Sequence, residues 1–154
     1  MSALKTIAIS GAVYGVYRGV KKALDSNIDQ TDYLARTIYG EARGEGALGM
    51  QAVANVIMNR VKKGGWYGAS IKDVVLKPWQ FSCWNDNDKN SSIIKQANAA
   101  QLKQAREIAD KVISGELPDI TGGATHYYAS SIKAPVWTKT MNKTATIGNH
   151  YFYA

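Results

Sequence analysis

Two glutamates, Glu41 and Glu45, lie four residues apart in YLARTIYGEARGEG (33–46), and glycines surround the second. At 100° per residue, Leu34, Ile38 and Glu41 fall at i, i+4 and i+7. A helix here turns the Glu41 carboxyl the same way as two apolar side chains, toward a core or the wall of a cleft. Burial disfavours the charged form of a carboxyl. A carboxyl that keeps its proton near neutral pH can protonate a leaving glycosidic oxygen. Gly44 and Gly46 just beyond would let a chain approach the backbone closely. The same spacing also suits a structural ion pair with Arg36, Arg43 or Arg60. Glu45 reads as a rim residue or helix-end acceptor, with proton donation as its alternative.

Other reactive side chains offer less. Cys83 is the one cysteine among 154 residues, so an internal disulfide is excluded. Paired with His126 it suggests a thiol-dependent amidase or peptidase. Such a cysteine gains from a helix N-terminus, and no helix begins within QFSCWNDND. Two histidines and one cysteine leave little for a four-ligand zinc site, so neither metal nor cofactor is expected. DNDKNS (86–91) opens like a calcium loop. It lacks the glycine at the sixth place, where Ser91 stands, and the closing glutamate at the twelfth, where Ala97 stands. A net charge of +7 calls for an anionic partner. The lysines and arginines are spread out rather than gathered with aromatics, so nucleic acid is not expected.

These residues need elements to hold them. A first helix is expected over 32–42, stopped or bent by Gly44 and Gly46. A second, over 47–63, is apolar almost all round and belongs at the centre of a domain, with Gln51, Asn55 and Asn59 as its polar ridge. Ser70 and Asp73 form a capping box for a short helix over 70–78. A loop follows over 79–92, then a long helix over 93–114 closed by Gly115 and Pro118. THYYAS, PVWTK and IGNHYFY suit short strands. Helices first and a small antiparallel sheet last make an α+β domain.

Ahead of it lies an arm. Ile9, Val13, Val16, Val20 and Leu24 form one helical stripe, flanked by Gly11, Gly15 and Gly19 at every fourth position. Its apolar run falls short of the roughly 18 residues that span a bilayer, and no small-residue cleavage site follows. The arm is expected to be an amphipathic helix packed on the domain or on a second copy, or else a membrane-associating or export segment. The organisation is therefore residues 1–30 as arm and linker and 31–154 as the domain.

The segment LARTIYGEARGEGALGMQAVANVIMNRV (34–61) resembles the opening motif of the SleB/CwlJ-type cell wall hydrolases, the spore cortex-lytic group that also occurs in phages. QFSCW (80–84), TGGATHYY (121–128) and IGNHYFY (147–153) match later blocks in order, so the resemblance covers about residues 31–154. It implies a lysozyme-like, lytic-transglycosylase-like fold, a helical part and small sheet flanking a glycan cleft. It implies that Glu41 is the catalytic acid and then base, cutting the MurNAc–GlcNAc β-1,4 bond of peptidoglycan to leave a 1,6-anhydro-muramyl end. If Asp86 or Asp88 reaches the cleft, plain hydrolysis (a muramidase) becomes the better reading. A non-catalytic wall-binding module is the rival from another class.

Glycan binding needs flat apolar faces and hydrogen-bonding edges. Phe81, Trp84, Tyr127, Tyr128 and Tyr151 are the candidates for the first, and Gln80, Ser82 and Asn55 for the second. Tyr127 and Tyr128 are neighbours in a strand, so their rings point to opposite faces. The expected partner is peptidoglycan, met at the cell wall or periplasm after cytoplasmic synthesis. No separate wall-binding domain and no convincing export signal stand in the sequence. A phage lysis enzyme (endolysin) or virion-associated protein would fit that, with residues 1–25 making the membrane or virion contact.

Overall fold

The computed structural model describes Val16 and residues 30–154. Apart from Val16, which is exposed, the stripe and glycine repeat of the arm lie outside the described residues. Helix α1 covers 30–42 in its described part and ends in a 3-10 turn, Arg43–Glu45. Gly46 (φ 70°) redirects the chain into α2, Gly46–Lys63. Gly46 bends the path as expected because a positive φ is free to glycine.

Helix α2 is the axle of the domain. It is buried continuously from Gly49 to Ile57 and packs against α3 (Ile71–Leu76), α5 (Ala99–Ile113) and the sheet. One core joins Leu34 and Ile38 of α1 to Val53 and Ile57 of α2, Val74 and Val75 of α3, and Ala105 and Ala109 of α5. A smaller cluster of Ala52, Val56, Ala124 and Phe152 glues the other side of α2 to the sheet.

The polar ridge of α2 has a structural task. The Gln51 side-chain amide donates to the Pro118 carbonyl (3.0 Å), and Asn55 Oδ1 accepts from the Ile120 amide (3.2 Å). Asn59 donates to the Ala124 carbonyl (3.0 Å). Three side chains at four-residue spacing thus lay the 118–124 connection along the helix and deliver the chain to the first strand.

Two expectations about elements change. The long helix over 93–114 is two helices, α4 (Lys89–Gln96) and α5. Asn98 and Gln101 form a reciprocal capping box (3.0 and 2.9 Å) that starts α5, and Asp88 caps α4 by accepting from the Asn90 amide (2.7 Å). Asn and Asp satisfy the free amides of a helix start better than they extend a helix, so each starts a helix of its own here. PVWTK, expected as a strand, is a 3-10 turn, Val136–Lys139, behind Pro135.

The sheet is small and antiparallel, in the order β1 (His126–Ala129), β3 (His150–Tyr153), β2 (Lys143–Ile147). Ile147 faces His150 across a two-residue turn in which Gly148 takes φ 54°. Among the described residues no helix is long and apolar enough to cross a membrane.

Candidate active site

Glu41 sits in the last turn of α1, half-buried. Its Oε2 accepts from the Tyr127 hydroxyl of β1 (3.2 Å) and its Oε1 from the Cys83 amide (3.4 Å). Gly40 permits the second contact. A β-carbon there would stand 3.0 Å from Cys83 Cβ and 2.8 Å from Ile94 Cγ2, so only glycine lets α1 lie this close to the Cys83 segment.

The ion-pair alternative does not hold among the described residues, because the three arginines are engaged elsewhere. Arg36 pairs with Asp32 (2.7 Å). Arg43 donates to the Gly40 carbonyl (3.1 Å) and to Asn90 (2.9 Å). Arg60 donates to the Thr125 carbonyl (2.8 Å) and to Gln80 Oε1 (3.1 Å), with its guanidinium over the rings of Tyr67 and Phe81 (5.6 and 5.1 Å).

Glu41 opens into a groove of about 470 Å³. Trp66, Tyr67, Trp79 and Trp137 supply its aromatic walls, and Arg60, Gln80, Ser82, His126 and Tyr127 supply polar groups. Glu41 is the one acid among the described residues lining it. Asp73 accepts from the Ala69 amide (3.3 Å) at the start of α3. Asp86 pairs with Lys95 (2.7 Å), and Asp88 is spent as the α4 cap.

Electrostatics assign the donors. Burial, reinforced by the charge of Glu41, pushes the Tyr127 hydroxyl well above the usual tyrosine range. Tyr127 therefore stays protonated and can only donate toward Glu41. Burial and then Glu41 also push the Cys83 thiol up. A buried thiol without thiolate character is no nucleophile, so the thiol route has no chemistry here. Glu45 accepts from the amide and side chain of Asn149 (both 3.2 Å), and these bonds hold its carboxyl below the usual range. Its side chain makes no helix-cap bond and is tied instead to the β2–β3 turn, and it holds no proton to give near neutral pH.

The other predicted binding residues separate. Gln80, Ser82 and Tyr127 share the groove with Glu41. Phe81 and Asn55 do not: Phe81 is a core residue beneath Arg60, and the Asn55 side chain is consumed by the Ile120 amide. Trp84 packs on α1, its indole N–H donating to Thr37 (2.9 Å), and lines a neighbouring hollow instead. Tyr127 and Tyr128 do diverge: Tyr127 stacks on Phe152 (5.7 Å), while Tyr128 meets Tyr151 and Trp137 (5.5 and 5.8 Å). Neither Tyr128 nor Tyr151 lines the groove.

Trp66, Tyr67, Trp79 and Trp137 escaped the sequence reading. Trp66 and Tyr67 had a usable signal. They stand between Gly65 and Gly68, both at positive φ, in a loop too short to bury them. Trp137 was hidden by reading its segment as a strand.

Several groups set an acid limit on stability. Burial, with Arg60 and Lys63 nearby, lowers the His126 pKa below 6.5. Asp119 is also depressed: burial pushes it up, but bonds from Thr121, Asn59 and Gly123 outweigh that. Glu45 and Asp88 are depressed by their amide donors. In each case the unfolded chain binds more protons below the ordinary pKa, so the stabilisation is complete above it and lost as pH falls through the folded value. Thermal melts should hold steady above about pH 7, decline as pH drops below 6.5, and fall more steeply below about pH 4. A melting temperature that rises on acidification would contradict the assignment.

Residues 44–153 match the family model described as Cell Wall Hydrolase, a span that begins just after Glu41. The spore cortex-lytic enzyme of Bacillus cereus is 30% identical over 119 residues, 77% of this chain and 42% of that protein. The spore cortex-lytic enzyme of Halalkalibacterium halodurans is 29% identical over 77% of this chain and 33% of its own length. The chain thus spans between a third and a half of the curated relatives it matches. Among solved structures, the catalytic domain of the germination-specific lytic transglycosylase SleB from Bacillus anthracis superposes with a TM-score of 0.66 at 30% identity. The superposition covers 81% of this chain and 93% of that one. The catalytic domain of the Bacillus cereus SleB protein gives 0.64 at 29% identity, over 81% and 91%.

Proposed function

The chain belongs to the Cell Wall Hydrolase family, and on that footing we propose that it is a peptidoglycan lytic transglycosylase with Glu41 as its catalytic acid and base. The observation that carries the reading is a carboxyl that, among the described residues, makes no ion pair and is the one acid lining an aromatic-walled groove. Cleavage by water ordinarily uses two carboxyl groups, about 5–10 Å apart, one of them to activate water or attack the sugar. A groove with one acid among its described lining residues suits a reaction in which the substrate brings its own nucleophile.

Glu41 protonates the bridging oxygen as the C1–O bond of the muramyl residue breaks. The sugar passes through an oxocarbenium-like state. The Glu41 carboxylate, held by the Tyr127 hydroxyl and the Cys83 amide, then takes the proton of the muramyl 6-hydroxyl as that oxygen closes on C1. The proton count of the enzyme returns to its start, and no water is consumed. Tyr127 and the Cys83 amide are worth most at the anionic stage, when the carboxylate is an acceptor only.

In this reading residues 31–154 are the catalytic unit, working at the cell wall. The apolar run and flanking basic residues within 1–25 support membrane or virion contact by the arm. The spore cortex-lytic and lytic transglycosylase descriptions of the relatives support glycan strands of peptidoglycan as the substrate.

Digestion of purified sacculi should release fragments whose new muramyl ends are one water lighter than reducing ends, read by mass spectrometry. Reducing ends throughout would replace transglycosylation by hydrolysis. No release at all would end the enzymatic reading.

A further inference from the structure

Trp79 takes φ 71°, the one non-glycine residue among those described with a positive φ. In that region a β-carbon crowds the following carbonyl, so an indole here is strained where glycine would not be. Packing does not compensate, because Trp79 is 92% exposed. A residue that is both strained and bare of contacts points to something outside the fold.

Its position indicates what. Trp79 lines the Glu41 groove and also a second hollow of about 380 Å³, shared with Pro78, Trp84, Asn85, Asp86 and Asn87. It is the ridge between the two. The second hollow combines an aromatic ring, Trp84, with the side-chain amides of Asn85 and Asn87, while its one acid among the described residues, Asp86, is paired with Lys95 (2.7 Å) and does not line the Glu41 groove. A pyranose has matching chemistry, an apolar C–H face and a rim of hydroxyl and acetamido groups.

We infer that Trp79 is a saddle over which a glycan strand passes from the Glu41 groove into a second sugar subsite at Trp84, Asn85 and Asn87. The inference rests on reading the Glu41 groove as a glycan cleft. Its occupant is the continuation of the same strand, because the two hollows share one wall. The chain therefore discriminates by length, favouring strands that cover both.

The test uses the full chain in a Glu41→Gln background, so that binding is measured without turnover, with β-1,4-linked N-acetylglucosamine trimer and hexamer as probes. Adding Trp79→Gly should weaken hexamer binding about tenfold, the loss of one stacked ring, and trimer binding by clearly less. Asn87→Ala, at an exposed position, should also act on the hexamer selectively. Trp79→Gly should leave the melting temperature unchanged or raise it, since strain is relieved and no packing lost. A lower melting temperature, or equal losses on both probes, would overturn the saddle. Sacculus cleavage by the unmutated chain is the control that separates the two readings. If it proceeds while both variants bind the hexamer normally, only the second subsite falls. If it is absent, the glycan reading falls and takes the subsite with it.

Discussion

Glu41→Gln should reduce release of fragments from sacculi by about 10³–10⁴-fold, while the protein melts within a degree or two of the original. General acid catalysis alone is worth roughly 10²–10⁴, and here one residue serves as acid and then as base, so the loss belongs at the upper end. The fold should tolerate the change. A glutamine has the same shape, and its Oε1 can accept from the Cys83 amide while its Nε2 donates to the Tyr127 oxygen, keeping both contacts seen at Glu41. Glu45→Gln is the contrast. Glu45 serves the Asn149 turn and does not line the groove, so its replacement should cost far less activity. Equal losses from the two variants would mean that the region tolerates no change, and the special role of position 41 would be unsupported.

Phe152→Ala should destabilise the domain by about 3–5 kcal/mol, the range for deleting a buried phenylalanine. Phe152 is 1% exposed and joins Ala52 and Val56 of α2 to Ala124 and the sheet. Its fully buried neighbours there are Ala52, Ala124 and Val56, small side chains with little reach to fill the cavity. At roughly 2–4 °C per kcal/mol for a domain of this size, the melting temperature should fall by roughly 6–20 °C. Folding and function meet at this residue, because its ring stacks under Tyr127 (5.7 Å, 24° between planes). Below the new melting temperature the variant should still cleave more slowly, since the Tyr127 hydroxyl is no longer fixed against Glu41. Phe152→Leu, which keeps most of the volume, should recover much of both losses. A variant as stable as the original would mean that α2 and the sheet do not depend on this contact.

The legible parts of the molecule were those governed by local periodicity. The direction of Glu41 followed from its spacing to Leu34 and Ile38, and both apolar residues are buried with it half-buried beside them. The centrality of α2 followed from apolar residues on all its sides. The divergence of Tyr127 and Tyr128 followed from strand geometry alone. The family resemblance, carried by four ordered blocks, agrees with the Cell Wall Hydrolase match and the SleB superpositions.

What was not legible depends on partners far away in sequence. Asn55 offers the same amide to a sugar or to a backbone, and only the path of residues 118–124 decides that it meets Ile120. Phe81 and Trp84 lie in one short block, yet a single 3-10 turn, Ser82–Trp84, sends one ring into the core and the other across to Thr37. The tryptophan walls come from three separate loops and carry no periodic signal. The cap at Asn98 was visible as a residue type, but its type alone does not decide between starting a helix and lying within one that begins at residue 93.

The most direct measurement is a crystal structure of the Glu41→Gln chain with a β-1,4-linked N-acetylglucosamine hexamer. The sugar chain should lie in the groove between Trp66, Trp79 and Trp137, with one bridging oxygen about 2.6–3.2 Å from the side-chain amide of residue 41. A hexamer seated elsewhere, or one in the groove with no bridging oxygen near that amide, would contradict it.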